Sequence, residues 1–235
     1  MEASPVHLRT ALRHAAKTVN PYPNTPEHIQ KAIHEYVPTL NGWLLPERGC
    51  EMADAIFETR PKLCVEIGVF GGRSLISQAF ALRELNHGGL VVGIDPWRLE
   101  DAIDGEQDEA NRNWWARNID IEAIHRGAMK AIWDHRIEPW CTVIRGASQY
   151  AAPVFTELDM LFIDGCHSEL ASMRDVELWI PKLRQGAYCF LDDYSWPSTQ
   201  EAYKVAMKML DVVKVGSEVL NGKLENNRYL VCRKK

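Results

Sequence analysis

Apolar residues in this chain fall into short continuous runs, separated by polar stretches with helical spacing. Residues 63–67, 90–94, 141–144, 160–163 and 188–191 are such runs, bounded by Gly, Pro or acidic residues. Runs of this length with these boundaries predict buried strands. Residues 74–85, 171–183 and 200–210 predict helices between them. Alternation of strand and helix predicts an α/β fold with a mostly parallel sheet and helices on both faces. Residues 212–215 and 228–232 predict two closing strands. Residues 1–60 predict a helical extension or lid. A first helix ends near Val19, a second starts at Thr25-Pro26-Glu27, and a third covers 51–59 before Pro61. Residues 61–235 then form the main domain. Within it, 98–138 is polar and helix-prone, with Asn113-Trp114-Trp115 at its centre. That segment predicts a lid over a ligand or a homo-oligomer contact.

Composition narrows the function classes. The 235 residues are 46% hydrophobic and 25% charged, which suits one large globular domain. A net charge of -5 argues against nucleic acid as a partner, because a phosphate backbone requires a basic face. No apolar run approaches the length of a membrane span, and residues 1–10 lack a signal-peptide core. The six cysteines show no metal-ligand spacing, so they read as reduced core residues of a cytoplasmic protein.

The chemistry lies where strands end. Leu161-Phe162-Ile163-Asp164-Gly165-Cys166-His167 and Phe190-Leu191-Asp192-Asp193-Tyr194 are apolar runs that stop abruptly in acid. Ligands bind at that edge of an open α/β sheet. Three carboxylates there repel one another unless a positive group lies between them. Mg²⁺ or Mn²⁺ is the simplest such group, with Asp164, Asp192 and Asp193 as ligands. The turn Glu66-Ile67-Gly68-Val69-Phe70-Gly71-Gly72-Arg73-Ser74 lets backbone approach a ligand closely. It lacks both G-x-G-x-x-G and Gly-Lys-Ser/Thr, and Glu66 suits an amine-bearing ligand. Asp95, before Pro96, can accept from ribose hydroxyls. Tyr194 and Trp196 are placed to wall an acceptor pocket. Each residue has an ordinary alternative as a turn, cap or packing residue. Their concentration at one sheet edge favours a site.

Together these residues resemble the class I S-adenosylmethionine-dependent methyltransferases. Glu66-x-Gly68-x-x-Gly71-Gly72-x-Ser74, with Phe70 inside it, is similar to their first motif. Asp95-Pro96 is similar to their ribose-binding segment. Gly146-Ala147-Ser148-Gln149 looks like the adenine-lining stretch of the catechol O-methyltransferase group. The resemblance implies a Rossmann-like fold with a seven-stranded sheet and S-adenosylmethionine as cofactor, with Asp164 also beside it. It implies metal ligation by Asp164, Asp192 and Asp193, with His167 as catalytic base. That group typically has Asp-Asn and Lys where this chain has Asp192-Asp193 and His167. An acid pair with a histidine looks more like the metal-dependent enzymes that methylate sugar hydroxyls. The expected activity is therefore O-methylation of a small hydroxylated molecule, a sugar or glycoside. The competing readings are a catechol-type aryl O-methyltransferase, an NAD-dependent oxidoreductase and a non-catalytic ligand-binding protein.

Overall fold

The computed structural model describes residues 20–104, 109–220 and 223–235. The expected helix ending near Val19 lies outside the described residues. Strands β1 (Leu63–Ile67), β2 (Leu90–Asp95), β3 (Cys141–Arg145), β4 (Leu158–Ile163) and β5 (Leu183–Leu191) pair in parallel. β6 (Leu210–Leu220) and β7 (Lys223–Lys234) form an antiparallel hairpin, and β7 also pairs antiparallel with β5. The sheet order is β3-β2-β1-β4-β5-β7-β6. Strand order reverses between β1 and β4, which opens a crevice beyond their carboxyl ends.

Helices cover both faces because strand side chains alternate and both sides are apolar. Cys64, Phe162, Phe190 and Val231 face one layer, with α1 (Glu27–Tyr36), α2 (Pro46–Thr59) and α3 (Arg73–Leu85). Val65, Leu161, Cys189 and Leu230 face the other, with α8 (Glu169–Trp179) and α9 (Gln200–Met209). Residues 98–138 hold α4 (Leu99–Ala102), α5 (Glu109–Asn118) and α6 (Ile121–Asp134), and α7 (Ser148–Ala151) follows β3. Asp120 caps α6 by accepting from the Ala123 amide.

The helices of residues 20–60 pack on the sheet, with Ile33, Met52 and Ile56 fully buried. Two elements depart from the sequence expectation. α2 starts at Pro46 rather than 51, with proline in the first turn, where its missing N–H costs nothing. β5 begins at Leu183, where the pattern predicts helix. Pro181 lies in a 3-10 turn there, and Gly186 (φ +76°) lets the strand shift register against β4. Among the described residues, no helix is long and apolar enough to cross a membrane.

Candidate active site

The strand ends are stitched in a staircase. Gly68 N donates to Ile94 O (2.9 Å), Asp164 N to Ile67 O (2.8 Å) and Asp192 N to Ile163 O (3.0 Å). Each functional residue thus sits one step past a buried strand. A cavity of about 750 Å³ opens above this staircase.

The glycine turn is shaped by what it touches. Gly68 has φ +85°, and a Cβ there would lie 1.9 Å from the carbonyl oxygen of Asp164. A Cβ on Gly71 would lie 2.1 Å from Asn41 O. Glycine is therefore required at both positions, and the turn is clamped between β4 and the N-terminal segment. Arg73 strengthens that clamp through Leu40 O and Leu44 O. Phe70 takes a left-handed backbone (φ +48°) and stacks on Trp43, centroids 5.2 Å apart, with Trp115 at 5.9 Å. Asp95 holds the turn: Oδ2 accepts from the Val69 and Phe70 amides, both at 2.9 Å, and Oδ1 from the Trp97 amide at 2.7 Å. Gly68, Phe70, Gly71, Ser74, Asp95 and Pro96 all line the cavity, as do Ser148 and Gln149.

Glu66 does not line the cavity, contrary to the sequence expectation. It points from β1 toward α3, is fully buried, and accepts from Ser74 Oγ (2.7 Å) and Gln78 Nε2 (2.6 Å). Burial pushes its pKa up to about 8, with Asp95 adding to the rise. Among the described residues, the buried Gln78 Oε1 has no partner in this arrangement. A protonated Glu66 would donate to that oxygen after an amide flip. A carboxyl whose folded pKa is raised binds more protons folded than unfolded, so stability falls as pH rises toward 8. Glu66→Gln is expected to flatten that decline in melting temperature between about pH 5 and 8. Parallel pH profiles of wild type and variant check this.

The carboxylates at β4 and β5 are sorted by their partners. Asp192 is buried against Arg48 of α2, with Oδ2 2.8 Å from Nη1. Burial alone would raise its pKa, but Arg48 and Arg228 outweigh it and hold Asp192 below the ordinary range. Asp193, also buried, has Oδ1 2.8 Å from Arg228 Nη1 and Oδ2 2.5 Å from His167 Nε2. Among the described residues Asp164 has no such ion pair, and burial with repulsion from Asp192 and Asp193 drives its pKa well up. Ligand-capable atoms of Asp164, His167 and Asp193 all lie within 4.8 Å of one another. Asp192, expected as a third metal ligand, is turned instead to arginine. Burial opposes charge on His167, yet Asp193 and Asp192 prevail and raise its pKa.

Three further residues that the sequence reading did not single out line this end of the cavity: Arg48, Glu218 of β6 and Arg228 of β7. Glu218 is buried, 3.5 Å from Arg48 Nε and 3.7 Å from Arg228 Nε. Tyr194 does not line the cavity and stacks on Tyr203, centroids 6.1 Å apart. Trp196 is outside it too, packed on the His167 ring at 4.6 Å.

A family model described as a methyltransferase domain matches residues 65–194, more than half of the chain. The chain belongs to this methyltransferase family. Solved structures place the fold of the methyltransferase in the same class. It is similar to an O-methyltransferase from Bacillus cereus in complex with SAH, with TM-score 0.60, 13% identity and 97% of each chain covered. It is similar to the O-methyltransferase TomG from Streptomyces achromogenes, involved in tomaymycin synthesis and in complex with SAM, with TM-score 0.60, 15% identity and 96% of each chain covered. The O-methyltransferase NovP gives TM-score 0.57 at 15% identity, over 80% of this chain and 78% of that one. No curated protein matches in sequence.

Proposed function

We propose that this methyltransferase moves the methyl group of S-adenosylmethionine to a hydroxyl of a small molecule, a sugar or glycoside, with help from a divalent cation, Mg²⁺ or Mn²⁺. The observation that carries this reading is the convergence of Asp164, His167 and Asp193 on one wall of a cavity whose other wall is the glycine turn. SAM and SAH occupy structural relatives of the same fold, which supports the cofactor. In this arrangement the turn from Gly68 to Gly71 takes the methionyl end, Asp95 with Pro96 the ribose, and Ser148 with Gln149 the base.

Charge supports the cation. With His167 neutral and the acids ionised, Asp164, Asp192, Asp193 and Glu218 carry four negative charges, and Arg48 with Arg228 carries two positive ones. The difference, four minus two, is the charge of a divalent ion. Asp164 and Asp193 are the carboxylates whose oxygens converge with His167, whereas Asp192 is committed to Arg48. A bound cation would supply a lowered pKa and a fixed orientation to an acceptor hydroxyl. His167 then takes the hydroxyl proton at Nε2 as the oxygen attacks the methyl carbon. Bound S-adenosylmethionine would supply the methyl group, with the electrons of the broken S–C bond kept by a neutral thioether. To act as base, His167 must release its own proton, which its pairing with Asp193 opposes. Engagement of Asp193 elsewhere frees the ring. The mixed polarity of Arg48, Glu218 and Arg228 suits a neutral acceptor rich in hydroxyls, because each offers a hydrogen-bonding edge. Six free thiols fit a cytoplasmic location.

The test is calorimetric titration of S-adenosylhomocysteine with and without Mg²⁺, followed by methyl-transfer assays on sugar and catechol acceptors. Binding, with transfer to a sugar hydroxyl that stops in chelator and returns with Mg²⁺, is the expected result. Full turnover in chelator would refute the metal. Preference for catechols would replace the sugar.

A further inference from the structure

Arg174 and Asp175 are consecutive residues of α8, and neither belongs to a motif noted in the sequence. Both line the cavity at its β3 end. Asp175 is buried, and it accepts a hydrogen bond from the hydroxyl of Ser148. Arg174 Nη1 donates to the side-chain oxygen of Gln149. Ser148 and Gln149 are themselves half-buried at the cavity wall.

These two bonds fix polarity. A serine hydroxyl has one proton, and Ser148 gives it to Asp175. Only its lone pairs remain for the cavity. A guanidinium can only donate, so it takes the oxygen of the Gln149 amide and leaves the NH₂ group for the cavity. The wall therefore presents an acceptor at Ser148 beside a donor at Gln149. Adenine offers the complement on its Watson–Crick edge, a 6-amino donor beside the N1 acceptor. Hypoxanthine offers the reverse, a 6-keto acceptor beside an N1–H donor.

We propose that Arg174 and Asp175 are positioning residues that set Ser148 and Gln149 to recognise a 6-aminopurine and reject a 6-oxopurine. The inference rests on the cofactor reading above and deepens it: the amino group of the base is read through two relayed hydrogen bonds. Asp175→Asn is the informative change. Asparagine keeps the shape but can donate to Ser148, which lets the serine proton turn toward the cavity. Ser148→Ala removes the acceptor and leaves Asp175 in place.

The experiment measures affinity for S-adenosylhomocysteine and for S-inosylhomocysteine, its 6-oxo counterpart, in wild type and both variants, with melting temperature as the folding control. Wild type is expected to prefer the adenosyl compound by at least about 100-fold, because the oxo compound leaves buried polar groups facing like partners. Each variant is expected to reduce that preference to less than about 10-fold. Wild type binding both compounds equally would overturn the inference and leave the cofactor reading standing. A preference lost in Asp175→Asn but intact in Ser148→Ala would also overturn it, since Asp175 would then contact the base itself. Binding of neither compound by wild type would refute the cofactor reading and this inference with it.

Discussion

His167→Ala is expected to lower kcat by about 10²- to 10⁴-fold, the usual contribution of a general base. Affinity for S-adenosylhomocysteine should change by less than about threefold, since an interaction made only in the transition state costs rate and not ground-state binding. The geometry supports this split. His167 Nε2 is 2.5 Å from Asp193 Oδ2, and Trp196 packs on the ring. Trp196 thus orients the ring from outside the cavity, and Nε2 becomes available as the base once Asp193 turns away from it. Single-turnover rates and cofactor titrations on one preparation separate the two quantities. Equal losses in both would mean that His167 builds the pocket and does not move the proton.

The second large effect concerns stability. Arg48→Met is expected to destabilise the fold by about 3–5 kcal/mol, because it strands a buried carboxylate without its counter-charge. For a chain of this size that is about 6–20 °C in melting temperature. Arg48 is 2% exposed, pairs with Asp192 and Glu218, and lies 4.1 Å from the Tyr229 ring centroid. Asp192→Asn alone should also destabilise, since it leaves the guanidinium underpaired. The double variant should recover part of the loss, because two neutral groups replace a broken ion pair. Thermal denaturation of the four proteins closes the cycle. Strictly additive losses would show that the two residues act independently.

The two halves of this site differ in how far the sequence exposes them. Asp164, Asp192, Asp193 and His167 each follow an apolar strand within a few residues, so local pattern marks them. The glycine turn is legible for the same reason, since Gly68 and Gly71 are required by close backbone contacts. What the pattern cannot show is which acid meets which partner. Asp192 and Asp193 are adjacent in sequence, but they lie past the end of β5, where Asp193 takes a left-handed backbone (φ +52°), and one meets Arg48, 144 positions away, while the other meets His167. Arg48 did carry a signal. It shares a helical face with Met52 and Ile56, both fully buried, so a charge stood in an apolar stripe. Glu218 and Arg228 carried none, because a charged residue in an edge hairpin reads as solvent-facing. Glu66 misled for a related reason. Its place in the motif suggests ligand contact, whereas strand alternation turns it beneath the turn toward Gln78.

The stack of Trp43, Phe70 and Trp115 has an optical consequence. Phe70 belongs to the turn that the cofactor would touch, and its ring and the two indoles form a triangle of mutual contacts, with the indoles 5.6 Å apart. Any shift of that turn moves an aromatic edge relative to two chromophores, one of them 42% exposed to water. The intensity and wavelength of tryptophan emission should therefore follow occupancy of the pocket directly. The protein carries its own label, and stopped-flow fluorescence could time ligand entry without any dye.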